Sequence, residues 1–197
     1  MKAFAKRAAL PLAAALLVAG PVMAQSSRGG SSWLPYTQNG YVGLNVGKPD
    51  YKLGCTAGFS CDDPNASFHL YTGGSFNDWF GVEIGYLYMG KAHRQGGTTR
   101  GHGIDLNAVG TFPVSQSVKL FGKLGLTYGR TTISANAGSG EIVGDDDGFG
   151  PSYAVGASYD LNQATALLVE WDRHDMHFAG RGRESIDAIN LGVKFRF

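Results

Sequence analysis

Cysteine is nearly missing from this chain, with two in 197 residues. A metal site would need more thiols or a close pair of histidines, and a dithiol redox centre usually reads C-x-x-C rather than CTAGFSC. Charge excess is missing as well: 17 basic residues stand against 16 acidic ones, so there is no basic stripe of the kind nucleic acid requires. Prolines number 7, and the 30 glycines follow no collagen period. Beyond the N-terminal run, which is too short and Ala-rich, no segment approaches the ~18 consecutive apolar residues of a membrane-spanning helix. Glycine-rich GHGIDLNAVG has no helix after it to cradle a phosphate, and the acidic run Asp145–Asp147 lacks the spaced ligands of a calcium loop, which suits a solvated loop tip. Neither metal nor cofactor is expected.

What is present begins with an export signal. Lys2, Lys6 and Arg7 precede the apolar run Leu10–Gly20, and Val22-Met23-Ala24 supplies a small-residue cleavage site. The expected mature chain starts at Gln25, with residues 25–39 a periplasmic leader and 40–197 one folded domain. Losing the leader removes three of the 17 basic residues and none of the 16 acidic ones, for a net charge of −2. In an oxidising compartment Cys55 and Cys61 are expected to form a disulfide closing a small polar loop.

The C-terminal stretch SIDAINLGVKFRF alternates strictly. Ile189, Leu191, Val193, Phe195 and Phe197 form an apolar row, with small, polar or cationic residues between them. The same period recurs in seven earlier stretches: Gly40–Gly47, Ser67–Phe76, Trp79–Gly90, Gly101–Phe112, Val118–Thr132, Phe149–Leu161 and Ala164–Phe178. Eight strands is an even number, and their connections alternate long and short. Each strand supplies the ~9–11 residues that a tilted membrane strand needs. Outward Phe76, Phe80, Phe112, Tyr159 and Phe197 fall at the short-turn ends, while Phe68, Tyr88, Tyr128, Tyr153 and Trp171 fall towards the long-loop ends. Two aromatic rings around an aliphatic band match two headgroup interfaces. A soluble barrel would put its large apolar side chains inside, whereas here the inward set is the polar one. The pattern predicts an all-β fold, an eight-stranded antiparallel up-and-down transmembrane β-barrel.

The inward set includes Glu83, Asp105, Glu170 and Asp172 against Lys119, Lys123, Lys194 and Arg196. Such charges should pair across a narrow lumen, filling it with ion pairs rather than leaving an open pore. At GVEIGYLYMGK around Glu83, VEWDRHD around Glu170 and the NLGVKFRF terminus, the chain resembles the OmpA-like outer-membrane β-barrel family. The resemblance implies an outer-membrane anchor with extracellular loops. It also implies lipid and lipopolysaccharide as surroundings, and a C-terminal strand whose Phe195 and Phe197 signal to the barrel-assembly machinery. Two departures stand out. Leu168 occupies the place of a strand-seven arginine and Ser158 that of a strand-six carboxylate, so the family's switchable ion-pair gate does not carry over intact, with Lys123 as a substitute partner for Glu83. A peptidoglycan-binding domain after the barrel is not expected.

Five histidines, His69, His93, His102, His174 and His177, fall in the extracellular half, where they suit a wet rim or a metal- or pH-sensitive one. Three functions follow in order: a non-enzymatic surface anchor with an unidentified extracellular ligand, a small ion or solute pore, and a lipid-modifying enzyme. The last would need a serine, Ser67 or Ser152, brought beside a rim histidine.

Overall fold

The computed structural model describes residues 37–53, 61–94, 97–135 and 143–197. The expected signal peptide and its cleavage after Ala24 lie outside those residues. So does Cys55, which leaves the expected disulfide outside them too.

Nine strands run in chain order: β1 Gln38–Tyr51, β2 Cys61–Asp62, β3 Ser67–Ser75, β4 Phe80–Arg94, β5 Gly97–Pro113, β6 Val118–Ala135, β7 Gly144–Asp160, β8 Thr165–Phe178 and β9 Gly182–Arg196. All pairings are antiparallel. Successive long strands are neighbours, and β1 pairs with β9 from Tyr41↔Arg196 to Tyr51↔Ile186, which closes the ring. The short β2 adds two residues to the outer end of β4 and is not a stave of the barrel. The barrel therefore has eight staves, with no free edge to pair with another chain.

At one end the three hairpin turns share a single design. Residues 76–79, 114–117 and 161–164 each form a four-residue turn. The second residue of each turn (Asn77, Ser115 and Asn162) turns its side-chain oxygen onto two backbone amides further along the chain. Asn77 Oδ1 accepts from Trp79 and Phe80, Ser115 Oγ from Ser117 and Val118, and Asn162 Oδ1 from Ala164 and Thr165. Short Asn and Ser side chains stabilise turns in this way, at a tip where a ladder has run out of partners.

The opposite end departs from expectation. The polar stretch Lys91–Arg100 is read in the sequence as a loop, yet Lys91–Arg94 pairs with Gly97–Arg100, and residues 95–96 alone join the strands. Residues 179–181 likewise join β8 to β9 in a tight turn. The acidic run is not a loop tip either, since Asp145, Asp146 and Asp147 are in β7, paired with Thr132, Thr131 and Arg130. The physical reason is length. The 18 residues of β6 at ~3.3 Å each make a strand of ~60 Å, well beyond what a tilted strand needs to cross a ~30 Å hydrocarbon core. With nine residues, β3 does little more than cross it. A polar hairpin above a bilayer keeps its backbone ladder in water, so polarity there does not mark the end of a strand.

Outward-facing side chains define the membrane band. Val42, Leu44, Val46, Ile84, Leu106, Leu124, Leu126, Val155, Val169, Ile189 and Leu191 are all exposed. Aromatic pairs flank them: Phe76 with Phe80 at the turn end, and Phe68 with Tyr88, Tyr128 with Phe149 and Tyr153 with Trp171 at the other. These contacts place the two aromatic rings at the two borders of an apolar belt.

Candidate functional site: the lumen

Each strand sends alternate residues inward, and the barrel is narrow enough for those side chains to meet. Backbone glycines make the room. A side chain at Gly43 would collide with the Tyr71 ring, and one at Gly85 with His69 and Asp105, so large inward groups lie over glycines of the next strand.

The eight charged residues expected inside are all on the inner face, in three groups. At mid-height Lys123 Nζ lies 2.8 Å from Glu83 Oε2 and 2.6 Å from Glu170 Oε2, all three buried. Tyr41 donates to Glu83 at 2.9 Å and Asn45 to Glu170 at 2.9 Å. Lys194 stands 3.5 Å from Glu83 and over the Tyr41 ring, while Lys123 lies over Tyr71. Tyr41, Tyr71, Phe121 and Leu168 pack around this knot. Leu168, where an arginine was absent from the sequence pattern, thus contributes packing beside the charges.

The second group does not pair with lysine. Asp105 takes His69 Nε2 at 3.0 Å, and Asp172 accepts from Asn190 at 2.7 Å with His174 Nε2 3.8 Å away. His174 Nδ1 meets Thr127 Oγ1 at 2.8 Å, and Ser152 donates to Asn107. The void beside them is about 10 Å³, the limit for a single water. The third group is at the turn end, where Lys119 and Arg196 both hold Asp160, at 2.8 and 2.6 Å. Asp160 falls within the predicted stretch Phe149–Leu161 but is not counted in the expected inward charged set. It is the last residue of β7, and its inward alternation with Ser158 is the signal that was available. A cavity of about 350 Å³ opens at this end and stops beneath Tyr41, Phe121 and Lys194.

The five histidines do not form one rim. His69 and His174 are buried in the lumen with ring centroids 6.4 Å apart, while His93, His102 and His177 are on the outer face or half-exposed. Alternation turns His102 and His177 away from the inward residues of their strands, and a register slip in β4 between Tyr88 and Lys91 turns His93 outward. Among the described residues no group of three histidine, cysteine or acidic side chains has the geometry to hold a metal ion. Neither candidate serine is bonded to a histidine among the described residues: Ser152 donates to Asn107, and Ser67 Oγ has no hydrogen-bond partner there.

Above the charged layers the interior changes character. Tyr51, Leu53, Leu87, Met89, Ala92, Ile133, Met176, Phe178 and Ile186 form a buried apolar cluster inside the outer end of the barrel. The sequence placed Leu87 and Met89 on the inner face but offered no reason for apolar residues there. On the outer wall at the same height, Arg173 grips Asp187 with two nitrogens and Arg130 binds Asp145 at 3.0 Å. The Asp187 carboxyl is held below the usual carboxylate range by its hydrogen bonds from Arg173, and hydrogen bonds from Thr132 and Arg130 lower Asp145 in the same way.

Phe195 and Phe197 are outward and exposed, and the Phe197 amide donates to the Gly40 carbonyl at 2.9 Å, seating the terminus on the first stave.

A family model described as outer membrane protein beta-barrel domain matches residues 12–197. Outer membrane protein A of Yersinia pseudotuberculosis is 28% identical over 206 residues, covering 98% of this chain and 56% of that protein. The Serratia marcescens protein of the same name is 28% identical over 175 residues, covering 84% and 47%. The chain thus spans about half the length of the curated relatives it matches. Among solved structures, Neisserial surface protein A aligns with a TM-score of 0.60 at 18% identity, over 80% of this chain and 97% of its own. Ail, the attachment invasion locus protein of Yersinia pestis, aligns with a TM-score of 0.52 at 16% identity, over 81% and 97%. These structures share the fold.

Proposed function

The chain belongs to the outer membrane protein beta-barrel domain family, and from that premise we propose that it is a closed, non-conducting anchor that presents its strand ends at the cell surface. The observation that supports this reading is the packing of side chains across the lumen at two heights. A polar knot centred on Lys123 fills the middle of the lumen, and an apolar cap, in which Leu87, Met176, Phe178 and Ile186 are fully buried, fills the outer end. Water and ions would need both to open. The interior charges serve to hold staves together across the lumen, a locking role rather than a transport one.

On this reading the surroundings are outer-membrane lipid and lipopolysaccharide. Phe195 and Phe197 on the terminal strand are the contact offered to the barrel-assembly machinery, and the projecting hairpins are the part available to an extracellular partner. The surface role is supported by the resemblance to outer membrane protein A and by the fold shared with a protein named for attachment and invasion.

Planar-bilayer recording on the purified, folded protein tests the seal. The expected trace is silent. A steady conductance that disappears on Glu83→Gln or Lys123→Gln would instead make the chain a small pore, fed from the cavity at the turn end.

A further inference from the structure

The outer wall just above the membrane band is not evenly charged. On the β8–β9–β1 side, Lys52 is ion-paired with Asp50 and lies 3.6 Å from Asp187, which Arg173 also holds. Lys48 and Asp63 line the same cleft, so three cations there stand among three carboxylates.

The β4–β5 side differs. Lys91 and Arg100 are directly opposite each other in the ladder, both exposed. His102 is flanked by Tyr88 on β4 and by Arg130 on β6. Arg130 has Asp145, Asp147 accepts from Tyr128, and Asp62 of β2 is opposite His93. Among the described residues neither Lys91 nor Arg100 has an ion-pair partner. Like charges directly opposite one another weaken a ladder, so this pair works against the fold unless an anion joins it.

Lys91 is also outward by a specific device. The β4–β5 register slips between Tyr88 and Lys91, and Gly90 there adopts φ +73°. A bulge of this kind shifts the alternation by one residue. It turns Lys91 out to solvent and sends Ala92 into the apolar cap, where it is fully buried. Without the slip the lysine would be aimed into the cap.

Height supplies the last constraint. Ile104 pairs with Tyr128 of the outer aromatic ring, and His102 and Arg100 lie two and four residues before it on β5, ~7 and ~13 Å up the strand. Below them the same two strands expose Ile84, Tyr86, Ile104 and Leu106. Cations on flexible stems above an apolar column match an amphiphile with an anionic head.

We propose that this β4–β5 face binds a phosphorylated glycolipid of the outer leaflet, with Lys91 and Arg100 on its phosphates and its acyl chains along Ile84, Tyr86, Ile104 and Leu106. The proposal rests on the anchor reading above and gives that anchor a defined lipid contact.

The test is titration of the folded, full-length protein in detergent with bisphosphorylated lipid A, and with the same lipid stripped of its phosphates. Bound lipid is counted by native mass spectrometry. Removing the phosphates is expected to weaken binding by roughly tenfold or more, and K91Q/R100Q should cause a similar loss. K48Q/K52Q, on the charge-balanced side, should bind as the wild type does. Equal binding of the two lipids, or wild-type affinity in K91Q/R100Q, overturns the proposal. Heat-modifiable gel mobility accompanies each variant. A folded barrel indifferent to phosphate defeats this inference alone, whereas a wild-type chain with no heat-modifiable form defeats the anchor reading itself.

Discussion

The two halves of this barrel are built inside out relative to each other. Within the membrane band the outer face is apolar and the lumen holds Glu83, Lys123 and Glu170. Above the band the outer face carries Arg130, Arg173 and Asp187, and the interior is the cap around Phe178 and Met176. The strands run through both halves unbroken, and what changes is the solvent. Lipid accepts the greasy face in the lower half. In the upper half water surrounds the wall, and the hydrophobic effect drives the large apolar side chains inward, as in any soluble domain. The lower half is therefore held by paired charge and the upper half by packing, and the two should fail differently.

The largest expected effect is in the lower half. Lys123→Met would leave Glu83 and Glu170 buried without the cation they share, and breaking such a pair from one side costs about 3–5 kcal/mol. Urea unfolding in lipid vesicles measures it. Adding Glu170→Gln to the same chain should restore most of the loss, because Glu83 keeps Lys194 3.5 Å away and no uncompensated carboxylate then remains. Wild-type stability in the single variant would show that the knot does not lock the staves.

In the upper half Met176→Ala tests packing without charge. Met176 is fully buried and lies against Gly129 and Gly101, so truncation leaves a cavity and should cost about 2–3 kcal/mol in the same assay. No neutralising partner change should rescue it, which is what separates the two halves. The variant should remain electrically silent, since the Lys123 layer below is untouched.

This division also explains what could be read in the sequence. The eight staves, their inward and outward faces and the turn-end aromatics follow from period-two alternation, and the structure has them. Alternation also put all eight charged residues on the inner face. It did not assign their partners: Asp105 and Asp172 are with histidines and Asn190, and Lys119 and Arg196 share Asp160, because cross-barrel pairing depends on stagger between strands rather than on spacing within one. The extent of the strands was misread for a related reason. In β8 the outward row Leu167, Val169, Trp171 continues as Arg173, Asp175, His177, while the inward row Glu170, Asp172, His174 continues as Met176, Phe178. The period persists and the polarity swaps sides. Searched for one polarity, such a sequence appears to leave the strand at the point where it leaves the membrane. In β4 the slip at Gly90 resets the phase as well, which hides Lys91 and Ala92 from any strict alternation.

The smallest effect belongs to the boundary between the halves, where Arg173 and Asp187 face the headgroup region from the outer wall. A carboxyl whose pKa is lower in the folded state contributes stability above its unfolded pKa, ~4, and loses that contribution as pH falls through the folded value. Asp187 is such a group, through its hydrogen bonds from Arg173 first and the nearby Arg173 and Lys52 charges after burial has partly opposed them. The pair is partly exposed and screened, so its share should be no more than about 1 kcal/mol and should shrink with added salt. Urea midpoints for wild type and Asp187→Asn, followed from neutral pH down through pH ~4, should converge at the acid end. They should separate at neutral pH, with the variant the weaker. If the two curves stay parallel throughout, the ion pair contributes nothing, and the upper half rests on its apolar interior and backbone ladders alone.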